Sequence, residues 1–186
     1  MTKALQLAFI LIAGGGFFPL PASALTEVYL SQQEALRLVC GTTKEEPTYE
    51  PQTISGDLLE ELKKESLEPE DKSVAHFFRC PKESTKKSKL ALIDAQVGKH
   101  LPITYIMGFD EEGKVTELEI MVYREKYGSA IKRGEFVNQY LGKDISNSLK
   151  VGTAIKHISG ATISARSISK GVTRGLYLWK HFYSGQ

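Results

Sequence analysis

Three hydroxyl residues, Ser159, Thr162 and Ser164, surround Gly160 and Ala161 near the C-terminal end of the sequence. A tight Gly-containing turn there would hand Thr162 to the start of a helix. From Ala161 onward, Ala165, Ile168, Val172, Leu176, Trp179 and Tyr183 recur every three or four residues, as one helical face requires. The first N–H groups of a helix lack partners and its macrodipole favours an anion, so the chemistry this spacing suits is phosphate binding beside a free hydroxyl. Ser167, Gly171 and Gly175 form a second, small-residue stripe at i+4 spacing. Each glycine inside a helix costs about 1 kcal/mol relative to alanine. Close approach of the helix backbone to a sheet or a ligand would account for both.

Other chemistries have no footing. His76, His100, His157 and His181 do not fall at metal-ligand spacing with cysteines or carboxylates, so no structural metal is expected. There is no Gly-x-Ser-x-Gly elbow for a serine hydrolase and no Cys-x-x-Cys for a dithiol or an attached haem.

The positioning elements follow from the rest of the sequence. Residues 1–24 read as a secretory signal peptide: Lys3, an apolar run through Phe18, then Ala22-Ser23-Ala24 as the cleavage site. The expected location is therefore extracytoplasmic, the periplasm. Cleavage would lower the formal charge from +2 to about +1, near neutral, so nothing suggests a polyanion-binding surface and no nucleic-acid partner is expected. The remaining length suits a single domain with a real core. In an oxidising compartment Cys40 and Cys80 read as a structural disulfide.

Ser31-Gln32-Gln33-Glu34 has capping-box spacing and opens a short helix ending at Gly41. Thr42–Gln52, with Pro47 and Pro51, reads as a loop. Ser55-Gly56-Asp57 caps a second helix carrying Leu58, Leu59 and Leu62. Val74–Cys80 and Leu90–Val97 read as strands, separated by a solvated Lys-rich loop. Pro102–Asp110 and Val115–Tyr123, joined at Glu111-Glu112-Gly113-Lys114, form a β-hairpin. Glu135–Leu141 is a short helix closed by Gly142. Strands followed by helices predict an α+β fold, an antiparallel β-sheet with flanking helices in a single domain. Its expected division is an N-terminal helical part over 25–84 and a second part over 85–186.

Ser159-Gly160-Ala161-Thr162-Ile163-Ser164 resembles the flavinylation motif of FMN-binding domains, found in small exported flavoproteins and in subunits of sodium-pumping and related membrane redox complexes. Three further segments resemble that family in order and spacing: Gly98-Lys99-His100-Leu101-Pro102-Ile103-Thr104, Tyr123-Arg124-Glu125-Lys126-Tyr127-Gly128, and Phe136-x-x-Gln139-Tyr140-x-Gly142-Lys143. Together they span about Leu90 to Leu178, and make 85–186 the expected FMN-binding domain.

The resemblance implies that Thr162 carries FMN through a phosphoester bond installed by a flavin transferase with FAD as donor. It implies cofactor contacts from Ser159, Gly160, Ala161, Ser164, Thr104 and Lys99, with Arg124 and Glu125 nearby. Ser159 and Ser164 could bind the phosphate or cap the helix. Tyr105, Tyr123, Tyr127 and Trp179 could stack on an aromatic ring, although aromatics at periodic positions are more often core. The family often has Asp three residues before the first Ser of the motif, where this sequence has Lys156. That lysine could alter transferase docking or pair with the phosphate. The implied function is an exported electron carrier, not a free-standing enzyme, linking a membrane redox partner such as a cytochrome or reductase complex to an extracytoplasmic acceptor. The alternative is a non-covalent FMN or ligand-binding module for sensing or assembly.

Overall fold

The computed structural model describes residues 26–42 and 45–185, so the expected signal segment lies outside the described residues. In chain order the elements are β1 (Glu27–Val28), α1 (Gln32–Cys40), β2 (Thr48–Thr53), α2 (Gly56–Lys64), β3 (Val74–Arg79), β4 (Leu90–Val97), β5 (Pro102–Phe109), β6 (Val115–Tyr123), α3 (Gly134–Val137) and α4 (Thr162–Tyr183). The strands make one antiparallel six-stranded sheet in the order β1-β6-β5-β4-β3-β2. The fold is α+β, as expected.

Successive residues of a strand point to opposite faces, and here both faces are covered. Phe77, Leu92, Tyr105 and Met107 pack on the side of α2 and α4, while Phe78, Ala91, Ile106 and Met121 pack beneath Ala35, Leu36 and Val39 of α1. The Cys40–Cys80 disulfide, with Cα atoms 5.3 Å apart, ties the end of α1 to the residue after β3. Helix α1 begins with the full reciprocal Ser31–Glu34 capping box and ends on Gly41 in the left-handed conformation. At α2, the side chain of Ser55 accepts from the N–H of Leu58 at 3.1 Å.

Three expectations need correction. The stretch read as a loop, Thr42–Gln52, contains most of β2, which pairs with β3 from Thr48↔Arg79 to Thr53↔Val74. Pro51 is accommodated because β2 is the last strand of the sheet, where a missing N–H costs no ladder bond. The 25–84 part, expected to be helical, supplies β1, β2 and β3 to the common sheet as well as α1 and α2. The helix read over Glu135–Leu141 is shorter: α3 stops at Val137 and a 3-10 turn continues over Asn138–Tyr140.

Helix α4 carries the candidate site at its N-terminus and is anchored well away from it. Its backbone lies so close to the sheet that a Cβ on Gly171 would sit 2.6 Å from the Tyr105 hydroxyl, and one on Gly175 2.5 Å from Met107 Sδ. Close approach to the sheet is thus the reason for both helical glycines. One turn holds Arg174, wholly buried, whose guanidinium donates to Asp94 Oδ2 (2.6 and 2.9 Å), Gln96 Oε1 (2.6 Å) and the carbonyls of Ala95 (2.8 Å) and Glu68 (3.0 Å). The Tyr105 hydroxyl donates to the same Asp94 oxygen at 2.9 Å. Burial pushes that hydroxyl well above the usual phenol range and the Asp94 charge adds to the shift, so it remains a donor.

Candidate functional site

The two turns at one end of the β5–β6 hairpin meet the start of α4. Before β5, the Gly98–Leu101 turn is held by Glu125, whose Oε1 accepts from the N–H groups of His100 and Leu101, the latter at 2.9 Å. Burial alone would raise the Glu125 pKa, but these backbone bonds more than offset it and leave the carboxyl below its usual range. After β6, Tyr123 is buried and its hydroxyl donates to the Tyr127 carbonyl. Ser164 Oγ lies 2.8 Å from the same phenol oxygen. Because that phenol proton is committed to a carbonyl, Ser164 is the donor in the second bond. Gly128 follows at φ 97°, where a Cβ would meet both Ser164 Oγ and Tyr123 OH at 2.6 Å. Only glycine lets this loop close against the helix.

Between these turns and the helix lies a cavity of about 480 Å³, within the range of small-molecule sites. Lys99, His100, Glu125, Lys126 and Tyr127 line one side; Gly160, Ala161, Thr162, Ile163 and Ser164 line the other. Thr162 is exposed and is the first residue of α4. The residue before it, Ala161, is the N-cap and offers no side-chain cap, and the first turn contains no acid. The helix therefore presents uncapped N–H groups and the positive end of its dipole to a cavity with Lys99 and Lys126 in its wall.

The residues expected at the site divide accordingly. Lys99, Gly160, Ala161, Thr162 and Ser164 line the cavity. Ser164 does not cap the helix; it is buried and held by Tyr123. Ser159 is exposed just outside the cavity lining. Thr104 does not line it either: its hydroxyl accepts from Arg124 Nη1 at 3.0 Å, and the same nitrogen donates to the Pro102 carbonyl at 2.9 Å. Arg124 thus braces the start of β5, while Glu125 lies in the cavity wall. Lys156 is exposed and outside that wall; its backbone is clamped by the Gln139 amide, through N–H to Oε1 at 2.7 Å and Nε2 to C=O at 3.3 Å. His100, Lys126, Gly128 and Ile163 also line the cavity and carried no separate signal in the sequence beyond lying in the matched segments.

Residues 98–177, somewhat under half of the chain, match the FMN-binding domain family. The segment is an FMN-binding domain. It runs from the glycine that opens the Glu125-held turn to within the last two turns of α4, so it includes every residue of the cavity. A comparison with curated proteins gives no match. The chain is a flavin-binding protein and its cofactor is FMN. The FMN-binding domain's own geometry fits that group. An uncapped helix end beside lysines suits a phosphate, and an exposed Thr hydroxyl stands next to it. Among the described residues no cluster of His, Cys, Asp or Glu could hold a metal ion.

Proposed function

We propose that this chain is an exported electron carrier whose FMN is joined to Thr162 Oγ through a phosphoester bond. The observation that carries the reading is the setting of Thr162: an exposed hydroxyl on the first residue of an uncapped 22-residue helix, in the wall of a cavity that also holds Lys99 and Lys126. Access supports it as well. Gly160, at φ 76°, has no atom within 4 Å of a would-be Cβ, so a modifying enzyme could approach the hydroxyl from that side.

In the transfer, Thr162 Oγ would attack the FMN phosphorus of FAD. The Oγ–P bond forms, the bond between the two phosphorus centres' bridging oxygen and the FMN phosphorus breaks, AMP departs with that oxygen, and the hydroxyl proton passes to a base of the transferase. The resulting phosphodiester keeps one negative charge, which the helix N-terminus and Lys99 are positioned to stabilise. FMN, once bound, supplies reversible one- or two-electron transfer. The work of the chain is to hold it: Glu125 fixes the Lys99 turn, Tyr123 and Ser164 fix the loop against the helix, and Arg174 fixes the helix against the sheet.

Lys156 stands outside the cavity wall with its backbone tied to Gln139, so this reading gives it no part in the cavity that holds FMN. Export is supported by the Cys40–Cys80 pairing, which persists in an oxidising compartment, and by the signal-like sequence of residues 1–24. A covalent link suits such a compartment, where a lost cofactor is not readily replaced. The partners in this reading are the flavin transferase and a membrane redox partner such as a cytochrome or reductase complex. Co-expression with a transferase should give a fluorescent band on a denaturing gel that disappears in Thr162→Ala. A yellow wild-type protein that loses its colour on denaturation would instead establish non-covalent binding.

A further inference from the structure

We infer that Tyr127, together with Ile163 in the wall of the same cavity, forms an apolar surface that takes the isoalloxazine ring, Tyr127 providing the stacking face. The inference rests on the cavity at Thr162 being the FMN site.

Four aromatic residues were candidates for such a contact. Tyr105 and Tyr123 are buried and their hydroxyls are committed to Asp94 and to the Tyr127 carbonyl. Trp179 is packed on Gly113 and stacked on Phe109, near the other end of α4 from the cavity. Tyr127 alone of the four lines the cavity, and it is 75% exposed. Ile163 lines the same cavity and is 50% exposed. Large apolar side chains left in water at one concavity mark a surface that buries something. A flat, mostly apolar ring is the part of FMN that matches them.

The exposure of Tyr127 does not come from a loose loop. Its carbonyl accepts from the buried Tyr123 hydroxyl, and the next residue, Gly128, is in contact with Ser164 and Tyr123 in a conformation only glycine adopts easily. The ring is thereby carried on a backbone fixed to the first turn of α4, the same turn that bears Thr162 and Ile163. Lys126 Nζ lies over one face of the Tyr127 ring, 5.4 Å from its centroid, so the flavin would stack on the opposite face. A phosphate at Thr162 and a ring at Tyr127 would occupy two ends of one cavity.

The test uses the full chain co-expressed with a flavin transferase and compares flavin fluorescence of native and unfolded protein. Stacking quenches flavin emission, so native wild-type protein should be dimmer than the same sample unfolded. Tyr127→Ala should raise the native fluorescence per bound flavin roughly two- to tenfold, the ratio that an aromatic pair worth 0.5–1.5 kcal/mol implies. Tyr127→Trp, which keeps a stacking face, should retain the quenching. Unchanged native fluorescence in Tyr127→Ala at equal flavin content overturns the stacking role. If Tyr127→Ala takes up no flavin while Tyr127→Trp does, the aromatic face is required and the inference stands; if neither variant nor Tyr127→Phe takes it up although all three keep the wild-type circular dichroism, stacking is not what the position supplies and the inference falls. A Thr162→Ala protein that still carries covalent flavin would displace the site itself, an outcome read separately on the denaturing gel.

Discussion

Replacing glycine by alanine inside a helix ordinarily stabilises it by about 1 kcal/mol, so the sign of Gly171→Ala is a sharp test of how α4 meets the sheet. A Cβ at that position would lie 2.6 Å from the Tyr105 hydroxyl and 2.9 Å from Cε1 and Cζ of its ring. Ordinary contact begins near 3.4 Å, so the ring or the helix must move by roughly 0.8 Å, and core groups resist such shifts. Tyr105 has no room to comply: it is fully buried and its hydroxyl bonds Asp94, which also receives Arg174. Overpacking costs about 1–3 kcal/mol and a displaced buried hydrogen bond about 1 kcal/mol more. Against the propensity gain, the net should be a loss of about 1–3 kcal/mol, or a fall in Tm of roughly 3–10 °C for a chain of this size. Gly175→Ala should cost less, because its nearest neighbours are Met107 Sδ (2.5 Å), Leu92 Cδ2 (3.1 Å) and Met107 Cε (3.2 Å), the ends of side chains of which Met107 is flexible. Urea unfolding of both variants measures this. A Gly171→Ala protein at least as stable as wild type, or one more stable than Gly175→Ala, would refute the packing argument.

The buried ion pair gives a second test. Asp94→Asn leaves the Arg174 cation buried beside a neutral amide and should cost about 3–5 kcal/mol, whereas the apolar replacement of both members, Asp94→Leu with Arg174→Met, should cost less than Asp94→Asn alone. At the site, the Glu125 carboxyl has a depressed pKa in the folded protein, so its contribution is present above the unfolded-state pKa and is lost as pH falls through the folded one. Amide exchange at Leu101, corrected for intrinsic rates, should therefore accelerate on acidification, and Glu125→Gln should flatten that dependence. Reducing the Cys40–Cys80 bond, which closes a loop across 40 positions, should lower stability by about 2–4 kcal/mol in equilibrium unfolding.

Elements with a local cause were legible in the sequence. The β5–β6 hairpin follows from alternation on both sides of a Gly-containing turn, and α1 and α2 from serine caps followed by apolar faces. What the sequence concealed depends on partners far along the chain. Strand β1 has only two residues and exists because Tyr123 and Val122 offer an edge. Strand β2 is hidden by Pro51, which reads as a breaker unless the strand is known to be terminal. Ser164 looked like a cap or a phosphate ligand; its partner, Tyr123, is 41 residues away. Tyr127 could not be told from Tyr123 by type or spacing, since a turn of the backbone after β6 decides which ring is buried and which lines the cavity.

The bare N-terminus of α4 contrasts with those of the two other helices longer than a single turn. Helices α1 and α2 both begin with a serine whose side chain takes an N–H of the first turn, and both serines have ψ near 160°, at 163° and 162°. Ala161 has ψ 21°. At that angle a hydroxyl in its place would not reach the N–H two or three residues on, so the backbone, and not only the choice of alanine, keeps the helix end free. Ser31→Ala should accordingly cost about 1 kcal/mol, whereas Ala161→Ser should gain none of that, because its hydroxyl would be buried at a position that is 2% exposed without the geometry to cap. A stabilisation of about 1 kcal/mol in Ala161→Ser would show that the end can be capped and that its openness is incidental. Without that gain, the openness is a consequence of how Gly160 turns the chain into Thr162, and the helix can bear it because Gly171, Arg174 and Gly175 secure its far half to the sheet.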